Sequence, residues 1–293
     1  MARRETDPEG QKQIEALRQG LRDLGWAFDK TIQMDVRWTD GDPANALKYA
    51  SDLMTLKPEI LVANGTPSLV AMRKATTTIP IVFVGVADPV NQGFVPSLAR
   101  PGGNITGFSV EEPSLGGKWL ELLKEVAPQL THVSVMVNPD TAPYAPMFMP
   151  TMQDAANAIR LVPSPVRNAA EIEQVIDQTA REPNGGLIVL PDSFLFAQRT
   201  AIIAAAARRR LPSIYPIQFF AIDGGLIAYG IDRVDLFYRA ASYVDRILKG
   251  GSPAELPVQQ PIKFQLAINL NTAKTLGLTV PRSLILSADE VIE

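Results

Sequence analysis

Cysteine is absent from the 293 residues. That removes disulfides, thiolate nucleophiles and Cys-based metal sites from consideration. The absence is compatible with an oxidising compartment, where a stray thiol is a liability, without establishing one. Histidine occurs once, at His132. No imidazole pair can hold a metal, and His132, at the start of an expected strand, reads as structural or solvent-facing. No G-x-S-x-G elbow, Walker loop or G-x-G-x-x-G stretch is present. A dominant charge of one sign is also missing: 28 basic residues face 31 acidic ones, for a net charge of −3. So weak an acidity argues against nucleic acid or an anionic membrane as the main partner. Apolar runs such as Ile79–Val86 and Gly186–Leu190 are strand-length, far short of the roughly 18 residues a membrane helix needs. The first eight residues begin with basic side chains and carry no apolar stretch behind them, so they are not a signal peptide as written.

What remains is ordinary globular composition, 46% hydrophobic and 20% charged, in a chain long enough for two cores. Gln11–Trp26 places Ile14, Leu17, Leu21 and Leu24 at helical spacing. Thr31–Trp38 alternates strictly, with Ile32, Met34, Val36 and Trp38 on one side, and reads as a strand with one wet face. Ala44–Leu56 reads as a helix and Ile60–Ala63 as a short buried strand. Ile79–Val86 is apolar enough for a strand buried on both faces. Beyond it, strand and helix signals alternate. Helices are expected at Lys118–Val126, Met147–Ile159, Ala170–Arg181 and Ala197–Arg209, each followed by a strand, and at Leu236–Leu248 before Gly250-Gly251. Such alternation implies parallel sheets with helices on both faces. Pro113, Gly116 and Gly117 interrupt the pattern and mark a boundary.

In open α/β sheets ligands sit outside the carboxyl ends of the strands, so polar residues there are the site candidates. Asn64, Thr66 and Ser68 follow one expected strand, with Thr66 in the position of an N-cap and Pro67 as first helical residue. They either hold a carboxylate with the help of the helix start or simply cap the helix. Asp88, before Pro89, either pairs with a ligand ammonium or closes an Asx-turn. Asn138 and Asp192 hold corresponding places in the second half, and Phe219 offers either an aromatic platform or core packing. Lys and Arg are missing from these strand ends, which weighs against a multiply charged phosphate. No catalytic or metal site is assigned and no cofactor is expected. Arg208-Arg209-Arg210 reads as a solvated helix terminus. Pro101-Gly102-Gly103-Asn104 precedes a strand, the wrong context for a phosphate loop.

Two stretches carry a resemblance. One runs Ala75-Thr76-Thr77-Thr78-Ile79-Pro80-Ile81-Val82-Phe83-Val84, then Ala87-Asp88-Pro89-Val90 and Arg100-Pro101-Gly102-Gly103-Asn104-Ile105-Thr106-Gly107. The other includes Ala228-Tyr229-Gly230, Arg246-Ile247-Leu248-Lys249-Gly250, Leu256-Pro257-Val258-Gln259-Gln260-Pro261, Ile268-Asn269-Leu270 and Ala273-Lys274-Thr275-Leu276-Gly277-Leu278-Thr279-Val280-Pro281. Together they resemble the ABC transporter substrate-binding family that includes tryptophan/tyrosine-binding proteins. The resemblance implies two doubly wound α/β lobes of the type I periplasmic-binding-protein fold, hinged by three crossings. The expected lobes are 1–110 plus 235–253, and 111–234 plus 254–293. It also implies a solute receptor that captures a small molecule, an amino acid or other carboxylate, in a cleft between lobes. The partner would be an ABC permease of the inner membrane, and the place the periplasm or a lipid anchor outside the cytoplasmic membrane. A monomer without enzymatic activity is expected. The family usually opens with a signal and a first strand; this sequence starts just after that strand, which reads as a late start codon or a truncation. In the strand order 2-1-3-4-5, the absent strand would lie between Thr31–Trp38 and Ile60–Ala63. The alternatives are a cytoplasmic ligand-sensing domain of the same fold and a doubly wound enzyme acting on a small metabolite.

Overall fold

The computed structural model describes Met1, residues 4–110 and residues 112–293. In chain order the first elements are helices α1 (Pro8–Asp23) and α2 (Pro43–Thr55), strand β1 (Leu61–Asn64), helix α3 (Thr66–Ala75), and strands β2 (Ile81–Val86) and β3 (Ile105–Ser109). There follow α4 (Leu115–Val126), β4 (His132–Val137), α5 (Met149–Ala156), β5 (Arg160–Pro165), α6 (Ala169–Arg181) and β6 (Gly185–Val189). Next come α7 (Ser193–Ala197), α8 (Arg199–Arg208), β7 (Ser213–Tyr215), α9 (Phe219–Ile222) and β8 (Ile227–Ile231). The chain ends with α10 (Arg233–Leu248), β9 (Phe264–Asn269), α11 (Leu270–Leu276), α12 (Arg282–Ser287) and β10 (Glu290–Ile292). These elements form two compact units, 1–111 with 232–263, and 112–231 with 264–293. None of the described helices is long and apolar enough to cross a membrane.

The first unit holds a parallel sheet in the order β1-β2-β3. All six residues of β2 are buried, as its apolar run requires of a strand covered on both faces. Leu61, Ala63, Leu69, Ile81, Phe83 and Val258 pack into one core here. Segment 254–263 runs beside β3: Thr106 Oγ1 donates to the Leu256 carbonyl at 2.6 Å, and the Ser109 N–H to the Gln259 carbonyl at 2.8 Å. Helix α1 opens on Pro8 behind a capping Asp7 and buries Ile14, Leu17 and Leu21; α10 is its main packing neighbour.

The expected strand Thr31–Trp38 is not a strand. Among the described residues it forms no ladder beyond an isolated Phe28–Ile32 bridge. Alternation gives the segment an apolar side, but a strand also needs a neighbouring edge to take its N–H and C=O groups. Among the described residues only Met1 takes part of that role, at the segment's end. A groove of about 640 Å³ lies there instead, bordered by Ile32, Met34 and Val36 together with Leu17, Leu53 and Leu61. Met1 sits at the groove's border; its amine donates to the Arg37 carbonyl at 2.7 Å and its carbonyl accepts from the Thr39 N–H at 2.8 Å.

The second unit holds seven strands in the order β10-β9-β8-β7-β6-β4-β5. All neighbours are parallel except β8 and β9. This one departure from an all-parallel sheet follows from the path of the chain. It leaves the unit after Ile231 and re-enters at Phe264, the register partner of Ile231, so β9 can only run back along β8. Edge strand β5 carries Pro163 and Pro165, which an edge tolerates because one side needs no N–H donors. The expected helix Met147–Ile159 is shorter than its pattern: α5 is preceded by a 3₁₀ turn at Ala145–Phe148 and stopped by Asn157 at φ 50°. His132 is buried, with Nε2 3.1 Å from the Thr179 carbonyl, a structural post. Arg208 and Arg209 pair with Glu173 and Asp177 at 2.7 and 2.6 Å on the surface.

Candidate ligand-binding site

In the first unit the polar residues gather where the three strands end. Strand β1 closes on Asn64, and the chain turns into α3 through Gly65 at φ 78° and ψ 166°. A side chain is strained at such a φ, so glycine is the residue that lets strand pass directly into helix. This shifts the helix start by one residue from the sequence expectation. Gly65, not Thr66, is the cap residue, and no side chain caps the helix. The hydroxyls of Thr66 and Ser68 are therefore not spent on capping. Both residues are buried, 7% and 5% exposed, and neither Oγ has a hydrogen-bond partner among the described residues. The Ser109 hydroxyl, at the end of β3, is in the same state. A buried hydroxyl left unpaired costs about 1–3 kcal/mol, so the Thr66 and Ser68 hydroxyls after β1 and the Ser109 hydroxyl at the end of β3 each call for an explanation.

A residue that sequence reasoning missed stands beside them. Arg233, the first residue of α10, lies over the ends of β1 and β2. Its Nη2 donates to Asn64 Oδ1 at 3.3 Å. A Cβ added at Gly85 would fall 2.1 Å from that same Nη2. Gly85, at φ 77° and in the register irregularity between Val84 and Val86, thus leaves the space the guanidinium fills. The sequence expectation that no cation stands at these strand ends is corrected: the cation comes from a helix 148 positions further along the chain than Gly85. The Gly in the run Ile81-Val82-Phe83-Val84-Gly85-Val86 was the available signal, since a lone glycine in a buried strand marks a bulge or a close approach.

Asp88 follows β2 with φ 45°, and its carboxylate accepts from the N–H and Nδ2 of Asn91 at 3.2 and 3.1 Å. That is the Asx-type turn, in a partly exposed residue whose oxygens keep further acceptor capacity. In the second unit the candidates have local duties. Asp192 is 1% exposed. Its Oδ1 accepts from Thr141 Oγ1 at 2.9 Å and the Leu195 N–H at 3.0 Å, its Oδ2 from the Asn138 N–H at 2.9 Å. It caps α7 and ties the loop after β4 to the end of β6. Burial pushes its carboxyl up to about 6, against the pull of these donors. Asn138 is buried and its Oδ1 accepts from the Asp140 N–H at 2.9 Å. The aromatic platform at Phe219 is not formed. The ring is 2% exposed, stacked on Phe220 at 5.2 Å with Arg199 over it at 5.1 Å, because the short turn of α9 rolls both phenylalanines into the core.

Comparison with known proteins agrees with this architecture. A tyrosine-binding protein of Clostridioides difficile is 28% identical over 273 residues, 92% of this chain and 76% of that protein. The crystal structure of a conserved domain protein from Vibrio cholerae superposes with a TM-score of 0.88 at 29% identity, covering 96% of this chain and 94% of that one. An ABC domain in complex with L-Trp from Streptococcus pneumoniae has the same fold, with a TM-score of 0.89 at 22% identity over 98% and 96% of the two chains. The profile of the ABC transporter substrate binding protein family matches residues 7–292. That match spans nearly the whole sequence, and the chain belongs to the ABC transporter substrate-binding proteins, the solute receptors of ABC importers.

Proposed function

We propose that the solute is a small zwitterion, with an aromatic amino acid as the first candidate. Its carboxylate is held by the hydroxyls of Thr66 and Ser68 and by N–H groups at the start of α3. Asp88 takes the ammonium, since both oxygens of Asp192 are already engaged. The observation that carries this reading is the pair of buried hydroxyls without partners at a helix start. That start adds N–H donors and about half a unit of positive charge. The tyrosine-binding relative supports the aromatic choice. The receptor delivers its ligand to a permease on the outer side of the cytoplasmic membrane and performs no turnover. Supporting the last point, none of the described side chains at these strand ends forms a nucleophile–base pair. Thermal-shift and calorimetric titration with L-tyrosine, L-tryptophan and neutral sugars test the reading. Amino acids should raise the melting temperature by mass action. A preference for sugars, or consumption of the bound ligand that Asp88→Asn abolishes, refutes it.

A further inference from the structure

We propose that Ser109 reads a polar group at the far end of the ligand, the phenolic hydroxyl of tyrosine, and so sets the preference among aromatic side chains. The inference rests on the amino-acid reading above and adds the second end of the solute. Ser109 is 0% exposed, and its Oγ has no hydrogen-bond partner among the described residues. Its backbone N–H is satisfied by the Gln259 carbonyl at 2.8 Å, so only the hydroxyl is left over. The same strand shows what a structural hydroxyl looks like: Thr106 is equally buried and donates to the Leu256 carbonyl at 2.6 Å. Packing does not explain the serine either, since its chain neighbours Phe108 and Val110 are buried apolar residues and alanine would fit the strand as well.

Face and level relate this hydroxyl to Thr66 and Ser68. The Phe108 ring packs on Tyr243 of α10 at 4.9 Å, so Ser109, next in the strand, points to the opposite face of the sheet. Its register partner Val86 belongs to the core that holds Leu69 and Ala71 of α3, which makes that face the one α3 covers. Along the strands, the Gly65 N–H donates to the Val84 carbonyl at 3.0 Å, while Ser109 is in register with Val86. The start of α3 and Ser109 therefore flank the same stretch of β2, one on each side. With neighbouring strands about 4.8 Å apart, β1 and β3 are separated by about 10 Å. One carboxylate cannot serve both. A ligand held by its carboxylate at α3 needs a second polar group across the width of β2, and a ring with a para hydroxyl supplies it. A phenol can donate to a serine hydroxyl or accept from it. Phenylalanine has no such group, and the indole N–H of tryptophan lies at the side of its ring system.

The test titrates L-tyrosine and L-phenylalanine, and the carboxylate-free pair tyramine and phenethylamine, by calorimetry. The proteins are the wild type, Ser109→Ala and Ser109→Cys, the last keeping the volume with a thiol that bonds weakly. The wild type should prefer tyrosine over phenylalanine by about 5–150-fold, the cost of leaving one buried hydroxyl unpaired. Both variants should bring the ratio close to one by weakening tyrosine, with phenylalanine unchanged and the ligand-free melting temperature level or higher. Equal affinity of the wild type for the two amino acids overturns the assignment and leaves the amino-acid reading intact. So does a preference that survives in Ser109→Ala. Tyramine preferred over phenethylamine through Ser109, with neither amino acid bound, supports the assignment and defeats the carboxylate reading. A wild type that binds none of the four overturns both. If Ser109→Ala loses its folded transition, the same ratio in Ser109→Cys decides, and loss of folding in both variants shows a structural hydroxyl and overturns the assignment.

Discussion

Replacing Thr66 by valine should move the stability and the affinity of this protein in opposite directions. Valine keeps the shape of threonine and replaces the hydroxyl by a methyl group. In the unliganded protein that hydroxyl is on a residue 7% exposed and has no partner. Its removal relieves a buried unpaired polar group, for which about 1–3 kcal/mol is the usual cost. Helix propensities of threonine and valine are close, so α3 itself contributes little to the change. At about 2–4 °C per kcal/mol for a unit of this size, the melting temperature of the ligand-free variant should stay level or rise by several degrees. The ligand-bound state behaves in the opposite sense. It loses a hydrogen bond to a charged oxygen, so affinity for a carboxylate ligand should fall by about 1.5–3 kcal/mol. Ser68→Ala should repeat the pattern. Calorimetric scans without ligand, followed by titration with L-tyrosine or L-tryptophan, read both effects on one sample. A drop of the ligand-free melting temperature with unchanged affinity would show that the hydroxyl is a structural donor, and the argument for the site would fail.

Three further outcomes are expected. Burial pushes Asp192 up to about 6 from 3.8, so between those values the folded protein holds a proton that the unfolded chain releases. Its stabilising contribution is present below pH 4 and is lost as pH rises through 6, about 3 kcal/mol in all. Denaturant titrations at pH 4, 5, 6 and 7.5 should show this slope, and Asp192→Asn should flatten it while costing about 1–3 kcal/mol by facing a donor to the Asn138 N–H. Phe219→Ala should lower stability by about 3–5 kcal/mol, read by urea denaturation, and leave the ligand-binding enthalpy unchanged, as a core ring does. Gly85→Ala should lower the melting temperature through φ strain of about 1–2 kcal/mol and through the displacement of the Arg233 guanidinium from the space the glycine leaves, read by calorimetric scans.

The fold was legible wherever the local pattern and the tertiary environment demand the same thing. The unbroken apolar run before Ala87 could only be a strand covered on both faces, and β2 is buried along its whole length. Helical spacing placed α6 within one residue of its observed range, while α1 starts three residues ahead of the expected Gln11–Trp26 because Asp7 caps it in front of Pro8. Thr31–Trp38 shows where such reading stops. Alternation reports which side of an extended segment is apolar, and here Ile32, Met34 and Val36 are half-buried while Thr31, Gln33 and Asp35 are exposed. It carries no information on whether a neighbouring edge stands within hydrogen-bond distance, and that alone decides whether extended backbone becomes a strand.

The same limit governs the site, in a sharper form. Asn64, Thr66 and Ser68 were found because their position depends on one local event, a strand giving way to a helix. Even there the cap was misplaced by one residue, since Gly65 adopts a φ that frees Thr66 from capping. That small difference removes capping as the explanation of the hydroxyl and is the reason it is proposed as a ligand group. Asp192 and Asn138 satisfied the same positional rule, yet Asp192 spends its oxygens on the Asn138 loop and its own helix start, and Asn138 Oδ1 accepts within its own turn, because a strand end must also satisfy its own turning backbone before it can offer anything to a solute. Arg233 violated the rule altogether. It reaches the ends of β1 and β2 from the start of α10, a proximity created by the return of the chain to the first unit at residue 232. Only Gly85 registers that visit in the strand sequence, as an absent side chain. This corner of the first unit is thus written in two places, a cation far along the chain and a glycine that makes room for it, and neither reveals the arrangement without the other.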